Sequence, residues 1–155
     1  MTLYCMDTSA LLHAWNERYP RDHFPTLWTK LDVLIEGGRI ISPEEVLHEV
    51  AKKGDGLNEW CEGRKHLFVP LDEKVMKTTI EILARFERLV DTKKFRQQAD
   101  PFVIALSIVR GASVVTAETH RRVESKAPKI PDVCDHYQVP CLSFLDLIRA
   151  EGWSF

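Results

Sequence analysis

The sequence predicts an α/β protein in which a parallel sheet carries helices on both faces. Short apolar runs bounded by turn residues recur along the chain, and segments with helical periodicity fill the intervals between them. This alternation is typical of parallel sheets, because each return to the same edge of the sheet requires a crossover through a helix. The 155 residues suit one domain, spanning residues 1–155, with enough chain to bury a core.

Five short apolar runs are the predicted strands. The first leads directly into Asp7, Thr8 and Ser9, after which helical spacing begins. The predicted strands are Leu3–Met6, Arg39–Ile41, Leu67–Val69, Ser113–Thr116 and Cys141–Phe144.

Helices are predicted between these strands. Phe24–Glu36 has apolar residues at helical spacing and stops at a pair of glycines. Ser42, Pro43 and Glu45 predict the start of another helix, with Ser42 as N-cap and Glu45 completing a capping box. The other predicted helices are Glu73–Val90, Phe102–Arg110 and Leu145–Ala150.

The composition excludes several classes of protein. A net charge of −2 argues against a surface built to coat a polyanion, although a local basic patch can still bind nucleic acid. The sequence shows neither an apolar run of membrane-spanning length nor a basic-then-apolar leader, so we expect no membrane segment and a cytoplasmic location. Four scattered cysteines without a CxxC pair predict reduced thiols rather than a zinc site.

Two acidic residues follow predicted strands. Asp7 comes directly after the first strand, and Glu118 comes two residues after Thr116 at the end of the fourth. Open α/β folds bind ligands at the carboxyl edge of the sheet, which is where both acids fall. The alternatives are that Asp7 caps the following helix and that Glu118 is an ordinary loop or first-turn acid.

Three further acids lie at or near helix starts. Glu49 borders the buried face of its helix, although it can also pair on the surface with Lys53. Asp100 opens a helix apolar enough to be central, so its carboxylate is predicted to lie near the sheet, where it can cap the helix, bind a metal or do both. Asp132 precedes a short helical stretch and is a candidate for either a cap or a metal ligand.

These acids are predicted to converge on one edge of a parallel sheet. Clustered carboxylates repel one another, and a divalent cation relieves that repulsion. Hard oxygen ligands suit Mg²⁺ or Mn²⁺, and such ions activate water and hold a phosphodiester during in-line displacement.

The motifs resemble those of the PIN-domain nucleases, and VapC-like toxins in particular. The stretches YPRDHFPTLW, GRIISPEEV, ADPFVIA, VVTAE and KIPDVC are similar to a PIN-like family of short prokaryotic proteins of unknown function, across essentially the whole chain. The resemblance implies a three-layer α/β/α sandwich with a central parallel sheet of four to five strands. It also implies metal-dependent RNA cleavage and a small antitoxin partner.

The same resemblance implies a set of site residues. The metal-binding and catalytic acids would be Asp7, Glu49, Asp100 and Glu118, with supporting hydroxyls on Ser9 and Thr116. Two positions depart from the family pattern. Glu118 stands where many relatives have Asp, and His-Arg-Arg stands where a further acid is usual, so Asp132 is the candidate metal ligand in its place.

Basic and aromatic residues complete the predictions. RNA phosphates are expected to contact Lys93, Lys94, Arg96, Arg121 and Arg122, unless these belong to solvated loops. Large apolar residues predict either an interface for a homodimer or antitoxin, or part of the core; they are Trp15, Phe24, Trp28 and Trp60. The histidines show no ligand spacing, and the sequence assigns them no role.

The leading functional prediction is a Mg²⁺- or Mn²⁺-dependent endoribonuclease that cleaves single-stranded RNA regions, as the toxin of a toxin–antitoxin pair. The alternative is a non-catalytic PIN-like module that binds RNA or protein through a degraded metal site. A phosphatase with Asp7 as nucleophile ranks last, because Ser9 stands where that chemistry usually places a second Asp.

Overall fold

A five-stranded parallel sheet forms the centre of the computed structural model, which describes residues 1–53, 55–90 and 98–155. The strands run in the order β3-β2-β1-β4-β5, and every neighbouring pair is parallel. Their bounds are Tyr4–Met6 (β1), Ile40–Pro43 (β2), Phe68–Val69 (β3), Ser113–Val115 (β4) and Cys141–Leu142 (β5).

Helices connect the strands and cover the sheet, which confirms the predicted three-layer α/β/α sandwich. The α-helices are Thr8–His13 (α1), Pro25–Glu36 (α2), Glu44–Ala51 (α3), Gly56–Glu62 (α4), Glu73–Arg85 (α5), Asp100–Arg110 (α6), Ile130–Tyr137 (α7) and Phe144–Ala150 (α8). Short 3₁₀ turns cover Lys65–Leu67 and Glu87–Leu89, and a π-helical turn covers Ala14–Arg18. Within the described part of the chain, no helix combines the length and apolarity needed to cross a membrane.

The strand order creates a switch point between β1 and β4. The chain starts in the middle of the sheet, builds β2 and β3 on one side, and then crosses to build β4 and β5 on the other. Consecutive connections therefore diverge at the carboxyl ends of β1 and β4 and leave a crevice there. In open α/β sheets this crevice is the usual place for a ligand.

β1 and α6 are apolar because both lie in the core of the protein. All three residues of β1 are at most 1% exposed, and α6 packs against β1, β2 and β4. Its burial fixes the position of its first residue, Asp100, near the sheet. An apolar helix that begins inside the fold carries its N-terminal carboxylate inward with it.

Two of the tryptophans predicted for an interface or the core lie in the core. Trp28 is 1% exposed and Trp60 is 4% exposed, and their rings meet edge to face at 5.1 Å. Trp15 meets Trp28 in the same way at 5.2 Å. The guanidinium of Arg64 covers the Trp60 ring at 4.3 Å and pairs with Asp32. These contacts leave Trp28 and Trp60 unavailable to a partner.

The predicted capping box at Ser42 is wrong. Strand β2 continues through Pro43, because Ser42 and Pro43 pair with β3, and α3 begins only at Glu44. The Ser42 hydroxyl donates to the carbonyl of Met6 at 2.7 Å, so it ties β2 to β1 rather than capping a helix. Oε1 of Glu45 is buried and has no hydrogen-bond partner among the described residues.

The predicted helix from Glu73 to Val90 is too long. It ends at Arg85, because Phe86 leaves the helical conformation with φ −123° and ψ 66°, and a 3₁₀ turn follows. Helix α4 has no counterpart among the predicted elements. Its N-cap is Asp55, whose carboxylate accepts a hydrogen bond from the Leu57 amide at 3.1 Å.

Candidate metal centre

Three carboxylates meet in the crevice between β1 and β4. Asp7 directly follows β1, Glu118 lies shortly after β4, and Asp100 is the first residue of α6. Each contributes one oxygen to a group in which all three oxygens lie within 4.8 Å of one another. Asp7 is 1% exposed and Asp100 is 4% exposed, so two of the three acids are withdrawn from water. We call these three residues the acidic cluster.

Hydroxyl groups hold Asp7 in place. Asp7 occupies the N-cap position of α1, yet its side chain makes no capping hydrogen bond. Its Oδ2 instead accepts from the Ser9 hydroxyl at 2.6 Å and from the Thr116 hydroxyl at 2.8 Å. These two hydroxyls are 3.1 Å apart, and the amides of Ala117 and Glu118 donate to them. The loop after β4 is thereby fixed to the start of α1.

Asp100 carries an unsatisfied buried oxygen. The residue lies within the first turn of α6, with Ala99 as N-cap, so it is not the cap that the alternative reading proposed. Its Oδ2 is buried and has no hydrogen-bond partner among the residues described. Burial raises the pKa of Asp100 well above its usual range, and the charges of Asp7, Glu118 and Glu49 raise it further. A buried oxygen in this state needs a proton or a cation.

The other acids share this electrostatic environment. Burial, followed by the charge of Asp7, raises the pKa of Glu118 to about 7, while the Ile130 amide donates to its Oε1 at 3.2 Å. Glu49 reaches in from α3, where its Oε1 accepts from the Thr8 hydroxyl at 3.0 Å. Burial also raises the pKa of Glu49, and the charge of Asp7 adds to the effect. Glu49 therefore lies at the rim of the cluster.

The donor set fits a divalent cation. All the groups are carboxylate or hydroxyl oxygens, which hard ions such as Mg²⁺ and Mn²⁺ prefer. Burial and, after it, repulsion between the carboxylates raise the pKa values of Asp100 and Glu118, and a cation among them would offset the repulsion. The unpartnered Oδ2 of Asp100 is the strongest sign of fit, because the described residues offer it no donor.

Asp132 lies outside the acidic cluster and serves as a cap. Its Oδ2 accepts from the amide of Lys129 at 2.8 Å, at the start of α7, and from the amide of Arg121 at 3.1 Å. This is the capping role that the sequence left open beside the metal role.

The basic residues predicted to bind RNA differ in their placement. The guanidinium of Arg121 donates to the carbonyls of Glu124 and Lys126, both at 3.2 Å, and so braces its own loop. Arg122 beside it is exposed. Lys93, Lys94 and Arg96 lie outside the described residues.

A cavity of about 610 Å³ adjoins the acidic cluster; Glu118 belongs to both, and Thr116, whose hydroxyl donates to Asp7, also lines the cavity. Two histidines without a predicted role, His13 and His120, also line it. The one weak signal in the sequence for His120 is its position two residues after Glu118, and no signal marks His13, the last residue of α1.

Comparisons with known proteins agree with this fold. The family model described as "Domain of unknown function (DUF4411)" matches residues 4–155. In the crystal structure of VapBC2 from Rickettsia felis bound to a DNA fragment from their promoter, one chain superposes with a TM-score of 0.52 at 14% identity. The match covers 92% of this chain and 99% of that chain, and it shows a shared fold. No curated protein matches. This chain therefore belongs to the DUF4411 family and has a PIN-like α/β/α fold.

Proposed function

We propose that this protein is a Mg²⁺- or Mn²⁺-dependent endoribonuclease that cleaves single-stranded regions of RNA. The observation that carries the proposal is the unpartnered, buried Oδ2 of Asp100 within a group of three converging carboxylates. The cluster lies in the crevice where open α/β sheets bind ligands. A bound cation would lower the pKa of water and neutralise charge that develops on the phosphodiester.

The residues of the chain have distinct roles in this proposal. Asp7, Asp100 and Glu118 hold the cation, and Glu49 supports it from the rim. Ser9 and Thr116 hold Oδ2 of Asp7, and the other oxygen of Asp7 would face the cation. Because the pKa of Glu118 is about 7, cation binding near neutral pH would displace a proton from part of the population.

Single-stranded RNA is the proposed substrate because its phosphates are accessible to a cluster set in a crevice. Arg122 is exposed in the segment that follows Glu118, and we propose that it attracts phosphate. We propose the same role for Lys93, Lys94 and Arg96, which precede Asp100 in the sequence. Arg121 contributes indirectly, by shaping the loop that carries Arg122.

We further propose that the protein acts as the toxin of a toxin–antitoxin pair, in the cytoplasm, with a small antitoxin as its partner. The fold shared with a chain of VapBC2 supports this proposal. A homodimer is the second proposed assembly. Its support is the exposed apolar surface of α5, where Met76 is 40% exposed and Ile80 is 59% exposed.

The test is cleavage of end-labelled RNA that contains a single-stranded loop, with metal-stripped protein, added Mn²⁺ or Mg²⁺, and excess chelator. We expect cleavage only with the cation and a loss of at least about 100-fold in Asp7→Asn, which keeps the shape but removes the charge. Asp22→Asn is the matched control, because Asp22 is exposed and distant in sequence from every cluster residue. Cleavage that survives chelator, or an Asp7→Asn variant as fast as the parent, would contradict the proposal.

One observation favours a second function. The acid that the family pattern places after Glu118 is replaced here by His120 and two arginines, and Asp132 is engaged in capping. The cluster can then bind a cation and RNA without cutting. Metal-dependent RNA binding with intact RNA after prolonged incubation would identify this non-catalytic module.

A further inference from the structure

We infer that the cavity beside the acidic cluster is a subsite for one unstacked nucleotide that flanks the scissile phosphate. We call it the flanking-nucleotide pocket. The inference rests on the proposed RNA substrate, and it identifies the place where one base of that RNA is held. The volume of the pocket, about 610 Å³, lies within the range of about 300–1,000 Å³ that is usual for small-ligand sites.

The pocket adjoins the acidic cluster through Glu118, which belongs to both, and through Thr116. Thr116 donates to Asp7, and the Glu118 amide donates to Thr116 at 3.1 Å, so one short loop contributes to both. Leu142 in β5 accepts from the Thr116 amide at 2.9 Å and lines the pocket. A phosphodiester placed at the carboxylates would therefore direct an adjacent nucleoside into this cavity.

A π-helical turn builds one wall of the pocket. The Tyr19 amide donates to the Ala14 carbonyl at 2.8 Å, five residues back rather than four. This extra residue changes the direction of the side chains after α1, so that Trp15 packs against Trp28 while Arg18 and Tyr19 line the pocket. Single π turns are rare and are concentrated at functional sites.

The lining matches the parts of a nucleotide. Ala10 and Ala14 contribute small side chains, and the rings of Tyr19 and Phe144 lie 5.4 Å apart with a 34° tilt, which gives an aromatic side suited to a base. Arg18 adds a positive charge suited to phosphate.

Charge favours a nucleotide over a basic peptide. Two acids line the pocket, Glu118 and Asp135, and the charge of Glu118 would be offset by a bound cation. Asp135 pairs with His120 at 2.7 Å, and His13 pairs with Glu17 at the same distance. Because Asp135 and Glu17 are paired with histidines, the positive charge of Arg18 makes the pocket attractive to an anion.

The experiment measures binding without chemistry. Isotope-labelled full-length protein in Mg²⁺ is titrated with each of the four ribonucleoside 5′-monophosphates, and with ribose 5-phosphate, none of which has a phosphodiester to cleave, while alanine methyl signals are followed by NMR. We expect shifts at Ala10, Ala14 and Ala117, with ribose 5-phosphate at least fivefold weaker because it lacks a base. Arg18→Ala and Tyr19→Leu should each weaken nucleotide binding at least fivefold, whereas Arg21→Ala, an exposed arginine outside the pocket, should not.

The outcomes separate this inference from the proposed function. If RNA is cleaved but the nucleotides shift signals elsewhere or nowhere, the pocket is not a nucleotide subsite, and the nuclease proposal stands. If the nucleotides bind in the pocket but RNA is never cleaved, the subsite stands and the nuclease proposal fails. If only a short arginine-rich peptide shifts these methyl signals, the pocket receives a protein partner and the inference is overturned.

Discussion

Replacing Glu118 by Gln should stabilise the metal-free protein above neutral pH. Burial and the charge of Asp7 raise the pKa of Glu118 from 4.5 to about 7. Each pKa unit corresponds to about 1.4 kcal/mol, so ionising this carboxyl costs the folded state about 3 kcal/mol. Gln keeps the Oε1 that accepts from the Ile130 amide, and it carries no charge.

The sign of the pH dependence follows from proton linkage. The folded protein binds this proton more tightly than the unfolded chain, so the free energy of unfolding falls as pH rises from about 4.5 to about 7. The variant lacks this loss. The free energy of unfolding of Glu118→Gln should exceed that of the parent only slightly near pH 5 and by about 3 kcal/mol near pH 8. The difference near pH 8 corresponds to a rise in Tm of about 6–12 °C.

Urea unfolding followed by tryptophan fluorescence, in chelator across that pH range, measures the effect. Glu124→Gln, an exposed change in the following loop, is the control and should stay within about 0.5 kcal/mol of the parent at every pH. A Glu118→Gln variant with the same pH dependence as the parent would refute the view that this carboxyl is held at an electrostatic cost.

Three further predictions concern other residues. In chelator, at a pH high enough to ionise the buried Asp100 carboxyl, Asp100→Asn should raise the free energy of unfolding by about 1–3 kcal/mol, because the ionised form is costly in this site. The variant should also reduce the Mn²⁺-induced rise in Tm; an undiminished rise would exclude Asp100 as a ligand. Arg39→Met should cost about 1–3 kcal/mol near neutral pH, because it breaks the 2.7 Å pair with Glu151. Arg39 lowers the pKa of Glu151, so the loss should shrink as pH falls below about 4.5, and a pH-independent loss would contradict this pairing. Gln138→Gly should raise the free energy of unfolding, measured by heat or urea, by about 0.5–1 kcal/mol, because Gln138 has a φ of 57° that glycine adopts without strain. A destabilised variant would show that contacts of the Gln138 side chain outweigh this backbone strain.

The sequence was most informative where local pattern and burial agree. Each predicted strand overlaps an observed one, because a short apolar run flanked by turn residues has few alternatives in an α/β chain. The approach of Asp7, Asp100 and Glu118 also followed from placement, since parallel strands bring their carboxyl ends to one edge.

The errors arise where a distant atom decides the structure. Ser42 does not cap a helix because the Met6 carbonyl, on the neighbouring strand, accepts its hydroxyl. The contacts of the Arg121 guanidinium with two carbonyls of its own loop likewise depend on the fold, and its predicted contact with RNA stays a prediction. Arg18 and Tyr19 line the pocket after a π turn, and a one-residue change in helical register has no sequence signature that we recognise.

The switch point has a consequence for how the site comes into being. The segment that builds β1, β2 and β3 carries Asp7 and Glu49, whereas Asp100 and Glu118 belong to the segment that builds α6 and β4. Neither segment alone holds the acidic cluster, so the cluster forms only when the two segments pack together. If the chain were divided between β3 and α6, neither part would hold the complete acidic cluster. Reassociation of the two parts could then be followed through recovery of the proposed cation binding.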